Sequence, residues 1–359
     1  MPLLPNLVAI VAGIVLLFAG GELFVAGATA LALLLGIPQI VVGLTVVSLG
    51  TSAPELFVSL LSLLKGGDAT AIAASNVVGS NIFNVLVVLG LSALVVPLRV
   101  RSRLVRRDVP LLVAVSMVVW GMASGTSLTW QAGLALLVGL VINVVWEIRT
   151  AREHPEESEI DGDDASRTSP LGAGVRLLLG LALLVLGSQV LLHGATSAAV
   201  QLGVSQTLIG LTIVAAGTSL PELVTSLVAA YRGSADLAIG NVVGSCLINL
   251  LLILGLCALA SGPQGLPVDP VLVQRDLPVM VLTTLACLPI FWTNGTITRL
   301  EGGLLVGLYG LYLVEQLLTS TVPWATAGYR QVLLVVVLPL VLVYLVWQVL
   351  AARRVRLRG

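Results

Sequence analysis

The chain has 359 residues, 57% of them hydrophobic and only 10% charged, with a mean hydropathy of +1.07 and a formal net charge of zero. Soluble domains carry about a quarter charged residues, so this composition excludes a soluble globular protein and describes a polytopic membrane protein. The expected partner is the lipid bilayer, with no nucleic acid and no cofactor.

A bilayer asks for about 20 mostly apolar residues per spanning helix. On that ruler the chain predicts eleven spans. The first five are 6–31, 39–64, 70–96, 109–124 and 128–149. After the acidic, turn-rich stretch 151–170 come 173–200, 206–231, 236–260, 276–293, 300–318 and 329–351. The opening MPLLPNLV has no basic segment and no small-residue cleavage site, so it is not read as a secretory signal. Cys246, Cys257 and Cys287 sit in apolar runs and read as buried filler, without disulfide or zinc spacing. The segment 153–164 lacks the spacing of an EF-hand loop and reads as a solvated linker.

The two halves repeat. Gly20, Gly27, Thr29, Gly36 and Gln39 align with Gly187, Gly194, Thr196, Gly203 and Gln206. At the same offset GLTVVSLGTSAPELFVSL, from Gly43 to Leu60, aligns with GLTIVAAGTSLPELVTSL, from Gly210 to Leu227. Asn76, Ser80 and Asn84 then align with Asn241, Ser245 and Asn249, Arg107-Asp108 with Arg275-Asp276, and Glu147 with Glu315. Five spans per repeat is an odd number, so the second copy enters the membrane upside down, an architecture of many secondary transporters. The expected fold is therefore an all-α membrane protein: a ten-helix core of two inverted five-helix repeats plus one extra C-terminal transmembrane helix. The expected division is a first repeat over 1–150, a cytoplasmic linker over 151–170, a second repeat over 171–320, an added helix over 328–352 and a basic tail over 353–359. With the N-terminus outside and the C-terminus in the cytoplasm, only Lys65, Arg275 and Arg330 of the 18 basic residues face outward. The positive-inside rule selects that orientation.

The chemistry lies in the duplicated signature. A carboxylate at membrane depth is costly and marks a functional site by default. Ser52, Glu55 and Ser59, with Thr51, share one helix face, and Ser219, Glu222, Ser226 and Thr218 repeat the arrangement. Pro54 and Pro221 interrupt their helices, which is expected to free the carbonyls of Gly50 and Gly217. Asn76, Ser80 and Asn84, at i, i+4 and i+8, form a second stripe, matched by Asn241, Ser245 and Asn249. Every candidate donor is oxygen, which suits a hard cation such as Ca²⁺, with about 6–8 oxygen ligands, rather than a soft transition metal. Two glutamates carry −2, enough to neutralise one Ca²⁺, and the site can also hold two or three Na⁺. Exchange of one Ca²⁺ for three Na⁺ would leave one net positive charge moving with sodium.

GTSAPE and GTSLPE, followed by NVVGSNIFN and NVVGSCLIN, resemble the two alpha-repeats of the sodium/calcium exchanger family, within the cation/Ca²⁺ exchanger superfamily. The likeness covers about residues 1–320. It implies a ten-helix core and antiport of Ca²⁺ against Na⁺ across the cytoplasmic membrane. It also implies ion ligands at Thr51, Ser52, Glu55, Ser80 and Asn84, and at Thr218, Ser219, Glu222, Ser245 and Asn249. Asn249 stands where many prokaryotic relatives have aspartate, and the resemblance ties asparagine there to potassium-independent exchange. Cys246 replaces the usual asparagine of the GSN triplet, a position implied to support helix packing more than ion binding.

Plainer readings compete. The small-residue runs are helix-packing surfaces. Asn76 and Asn241 divide evenly between lining an ion path and bonding across helices. Glu22 and His193 read as interhelical contacts, and Asp108 and Asp276, each opening a helix as Asp-x-Pro, read as caps. A proton-coupled Ca²⁺ antiporter of the same superfamily is the alternative function. An intramembrane serine hydrolase is disfavoured, because it needs a base within reach and His193 belongs to one repeat only.

Overall fold

The structure is a computed structural model, and it describes residues 3–99, 105–153, 169–204, 209, 213, 215–293 and 295–356. Most of the linker 151–170, the end of the tail, Gln206 and the Gly210–Thr212 part of the second signature lie outside the described residues.

Apolar runs in lipid must satisfy every backbone N–H and C=O internally, so they fold as helices. In chain order these are α1 (Leu3–Leu35), a broken helix made of α2 (Gln39–Thr51) and α3 (Ala53–Lys65), α4 (Ala71–Val95), α5 (Val105–Ala123) and α6 (Trp130–Glu153). The second half follows with α7 (Pro170–Gln201), α8 (Leu220–Tyr231), α9 (Ala235–Ala260), α10 (Leu272–Phe291) and α11 (Arg299–Thr321), and then α12 (Pro323–Trp347).

Among the described residues eight helices are long and apolar enough to span a membrane, and the bent α2–α3 pair makes a ninth. Two of the eleven expected spans fall outside that count. α5 carries Arg106, Arg107 and Asp108 in its first turn, and the 206–231 span is described only in part, as a short helical stretch at Ala215–Gly217 followed by α8.

The centre of the fold is α4 and α9, 83% buried over their spanning windows, whereas α12 is 6% buried and lies at the edge. Around this centre, α1 packs antiparallel along α7 through facing glycines. A Cβ on Gly20 would lie 2.9 Å from the Gly180 carbonyl, and one on Gly13 would lie 2.8 Å from the Gly187 carbonyl. Only glycine permits that approach, the close packing that small residues supply between membrane helices.

Short strands join the halves crosswise. β1 (Leu98–Arg99) pairs antiparallel with β4 (Thr296–Ile297), and β2 (Ser127–Leu128) with β3 (Leu266–Pro267). β1 follows α4 as β3 follows α9, and β2 follows α5 as β4 follows α10. The pairing is thus the exchange that a two-fold axis between the halves produces.

The Asp-x-Pro expectation is overturned at both places. Asp108 is fully buried beside Arg107 (3.2 Å). Asp276 ends a π-helical turn, Leu272–Asp276, and its carboxylate accepts from Arg275, Tyr312 and Gln316. The residue that accepts a backbone N–H where α10 begins is Asp269, bonded to Val271 N at 2.7 Å. His193 lies on an exposed face of α7, so it is no buried interhelical contact. Glu22 does bond between elements, as the ion-pair partner of Arg232 just beyond α8.

Candidate functional site at the two helix breaks

Both copies of the signature break their helix at the same residue. Ser52 leaves helical geometry (φ −80°, ψ 6°) and Pro54 stands in the first turn of α3; Ser219 (φ −91°, ψ 12°) and Pro221 do the same at α8. Proline suits a first helical turn, where its missing N–H has no partner to lose. The break bends α2 against α3 by 44°. It does not free the Gly50 carbonyl, as the sequence led one to expect, because a backbone N–H at the break bonds it.

The breaks place Glu55 and Glu222 in the first turns of α3 and α8, and both carboxylates are fully buried. Each is held by the opposite half. Ser219 Oγ donates to Glu55 Oε1 at 2.8 Å, and Ser52 Oγ donates to Glu222 Oε1 at 3.0 Å. Ser80 Oγ lies 3.5 Å from Glu55 Oε1. The two glutamates, 167 positions apart in the chain, therefore sit within one hydroxyl of each other's helix.

α4 and α9 close the site from either side. Both carry a π-helical turn that begins at the last residue of the polar stripe, Asn84–Val88 and Asn249–Ile253. Such turns occur mostly as single insertions and often at functional sites. Asn84 and Asn249 are completely buried. Asn76 and Asn241 bond across helices: Asn76 Nδ2 donates to the Glu55 carbonyl (3.2 Å) and Ser59 Oγ (3.0 Å), and Asn241 Nδ2 to the Glu222 carbonyl (3.3 Å) and Ser226 Oγ (2.9 Å). Their amide nitrogens brace the helix start that carries each glutamate.

Glu55 Oε2, Glu222 Oε2, Asn84 Oδ1, Asn249 Oδ1 and Thr218 Oγ1 are buried with no hydrogen-bond partner among the described residues. A buried polar atom without a partner costs about 1–3 kcal/mol, and more when charged. All five are oxygens, the atom type a hard cation takes.

The halves are not in the same state. Thr51 is fully buried and its hydroxyl donates to Asn241 Oδ1 (3.1 Å), with Ser245 Oγ at 3.4 Å. Thr218 and Asn76, their counterparts, are only half-buried. A cavity of about 280 Å³ runs from Ser75 and Gly79 of α4 to Arg275, Asp276 and Tyr312, and none of the glutamate, serine or asparagine residues of the two stripes lines it.

One contributor escaped the sequence reading. Asn81, fully buried between α4 and α9, bonds both Cys246 and Asn249. Its signal was present in the GSN triplet, but what it touches depends on the pairing of two helices distant in sequence.

The family model described as sodium/calcium exchanger protein matches residues 5–149 and 173–318. The chain is 33% identical over 327 residues to the inner membrane protein YrbG of Escherichia coli, covering 87% of this chain and 98% of that one. It is 30% identical over 346 residues to the sodium/calcium exchanger MaX1 of Methanosarcina acetivorans, covering 86% and 97%. The solved structure of the sodium-calcium exchanger NCX_Mj, soaked with Na⁺ and Sr²⁺, superposes with a TM-score of 0.73 at 28% identity, over 87% of this chain and 99% of that one. The chain is a transporter and a member of the sodium/calcium exchanger family.

Proposed function

We propose that this integral membrane protein is a Ca²⁺ antiporter driven by Na⁺, working by alternating access around the site at the helix breaks. Glu55 and Glu222 are the shared charge pair. Thr51, Ser52, Ser80 and Asn84, with Thr218, Ser219, Ser245 and Asn249, supply the neutral oxygens, and Asn76 and Asn241 hold the glutamate-bearing turns in place. The observation that carries the reading is the reciprocal bonding of each glutamate by the other half's serine, with a second oxygen of each carboxylate left unpartnered among the described residues. One site of charge −2 balances one Ca²⁺, and an ion that arrives must compete there with sodium rather than bind beside it.

The difference between the halves, tight at Thr51–Asn241 and looser at Thr218–Asn76, supports a site that opens to one side at a time. The arginine distribution supports an N-terminus outside and a C-terminus in the cytoplasm, and the likeness to an inner membrane protein supports the cytoplasmic membrane. Sodium coupling is favoured over proton coupling by the names of the relatives, MaX1 and NCX_Mj. The test is uptake of ⁴⁵Ca²⁺ into liposomes holding the purified protein, with equal pH on both sides. An outward Na⁺ gradient alone is expected to drive uptake. Uptake that ignores Na⁺ and follows an imposed pH gradient contradicts the coupling and supports the proton-driven alternative.

A further inference from the structure

We propose that Asn81 is a positioning residue that fixes Asn249 with its carbonyl oxygen toward the transported cation, and that Cys246, at the corresponding place in the second repeat, leaves Asn84 without such a lock. The proposal rests on the reading of this site as a Ca²⁺ and Na⁺ site.

The orientation follows from a chain of partners anchored on a backbone carbonyl. The Cys246 carbonyl can only accept, so Asn81 must turn its Nδ2 toward it, at 3.2 Å. That leaves Asn81 Oδ1 facing α9, and an amide oxygen also only accepts. Asn249 therefore turns its Nδ2 to Asn81 Oδ1, at 3.0 Å. Its own Oδ1 is left on the other side of the amide, buried and without a hydrogen-bond partner among the described residues. Oxygen is the atom a hard cation takes. Each end of Asn81 makes a hydrogen bond within the α4–α9 seam, so its role is exerted through Asn249.

In the other half the chain stops after one link. Cys246 Sγ reaches the Asn81 carbonyl at 3.9 Å, retracing the contact Asn81 makes in reverse. A thiol has no second atom with which to accept from Asn84. Both amide atoms of Asn84 are accordingly buried without hydrogen-bond partners among the described residues. One carbonyl ligand is preset, and the other is oriented by the arriving ion. Ordering a ligand at the moment of binding lowers apparent affinity by the fraction of time it is correctly placed.

Calorimetric Ca²⁺ titration of the purified full-length protein tests this. Asn81→Ala is expected to weaken binding about 2- to 10-fold, the range one net hydrogen bond supplies. In an Asn249→Asp background both terminal atoms are oxygen, so nothing remains to orient and Asn81 Oδ1 faces a carboxylate. There Asn81→Ala is expected to leave affinity unchanged or to raise it. Cys246→Asn supplies the missing amide and is expected to tighten Ca²⁺ binding by a similar factor, a gain that misfolding cannot imitate. Equal losses from Asn81→Ala in both backgrounds mean that Asn81 merely holds α4 to α9 and overturn the proposal, as does no loss with Asn249 present. Unchanged affinity in Cys246→Asn overturns the claim about Asn84. Wild-type protein that binds no Ca²⁺ removes the functional reading itself, an outcome distinct from the others.

Discussion

Replacing Ser52 or Ser219 with alanine deletes a single oxygen from a site built on reciprocity. Ser219→Ala removes the 2.8 Å bond that fixes Glu55, and Ser52→Ala removes the 3.0 Å bond that fixes Glu222. Both carboxylates are completely buried, so water does not take over the lost donor's place. Hydrogen bonds to charged groups contribute about 1.5–3 kcal/mol, which is roughly 10- to 150-fold in a dissociation constant. The Ser219 variant is expected at the lower end, because Ser80 Oγ still stands 3.5 Å from Glu55 Oε1. Calorimetric titration in sodium-free buffer reads the Ca²⁺ constant. ⁴⁵Ca²⁺ uptake at saturating Ca²⁺ separates weakened binding from slowed transport. Wild-type affinity in both single variants would refute the claim that the serines of one half position the glutamate of the other.

Other expectations follow from the same geometry. Asn241→Ala should impair exchange more than Asn76→Ala, since Asn241 also accepts from Thr51, and comparison of initial uptake rates checks the order. Gly180→Leu forces a side chain into α1 where a Cβ already meets the Phe24 backbone nitrogen at 2.5 Å. Overpacking of this kind costs about 1–3 kcal/mol or more, so thermal unfolding in detergent should shift downward, and an unchanged midpoint would count against the tight α1–α7 seam. Arg330→Ala breaks an ion pair with Glu315 whose arginine is 45% exposed. The Glu315 carboxylate is buried, so losing the arginine leaves it unpaired, and the thermal midpoint in detergent is expected to fall, by less than the about 3–5 kcal/mol lost on breaking a fully buried pair would cause; an unchanged midpoint would count against the contact between α11 and α12.

Much of this molecule is written in its pattern. The duplicated GTSxPE group, at one offset in both halves, made Glu55 and Glu222 conspicuous because a carboxylate amid apolar residues has few other uses. The i, i+4, i+8 stripes announced Asn84 and Asn249 because helix periodicity alone puts them on one face. What stayed hidden depends on contacts between the halves. Nothing local says that Ser52 bonds Glu222 rather than Glu55, or that Asn81 turns Asn249. The capping expectation for Asp108 and Asp276 failed because a short motif cannot show that Arg107, or Arg275 with Tyr312 and Gln316, will surround the carboxylate. The freed Gly50 carbonyl failed for a related reason: a proline break can re-form its hydrogen bonds in a tighter turn. Glu22 could be read as a polar contact, but its partner Arg232 lies 210 positions away.

The most direct measurement is Ca²⁺ binding to Glu55→Gln and Glu222→Gln, each purified and shown by size-exclusion chromatography to be folded. Glutamine keeps the shape and removes the charge, one from each half. Both variants are expected to lose measurable Ca²⁺ binding and all Na⁺-driven uptake, because neither glutamate alone neutralises a divalent ion in lipid. Wild-type affinity in either one would contradict a site shared between the two halves.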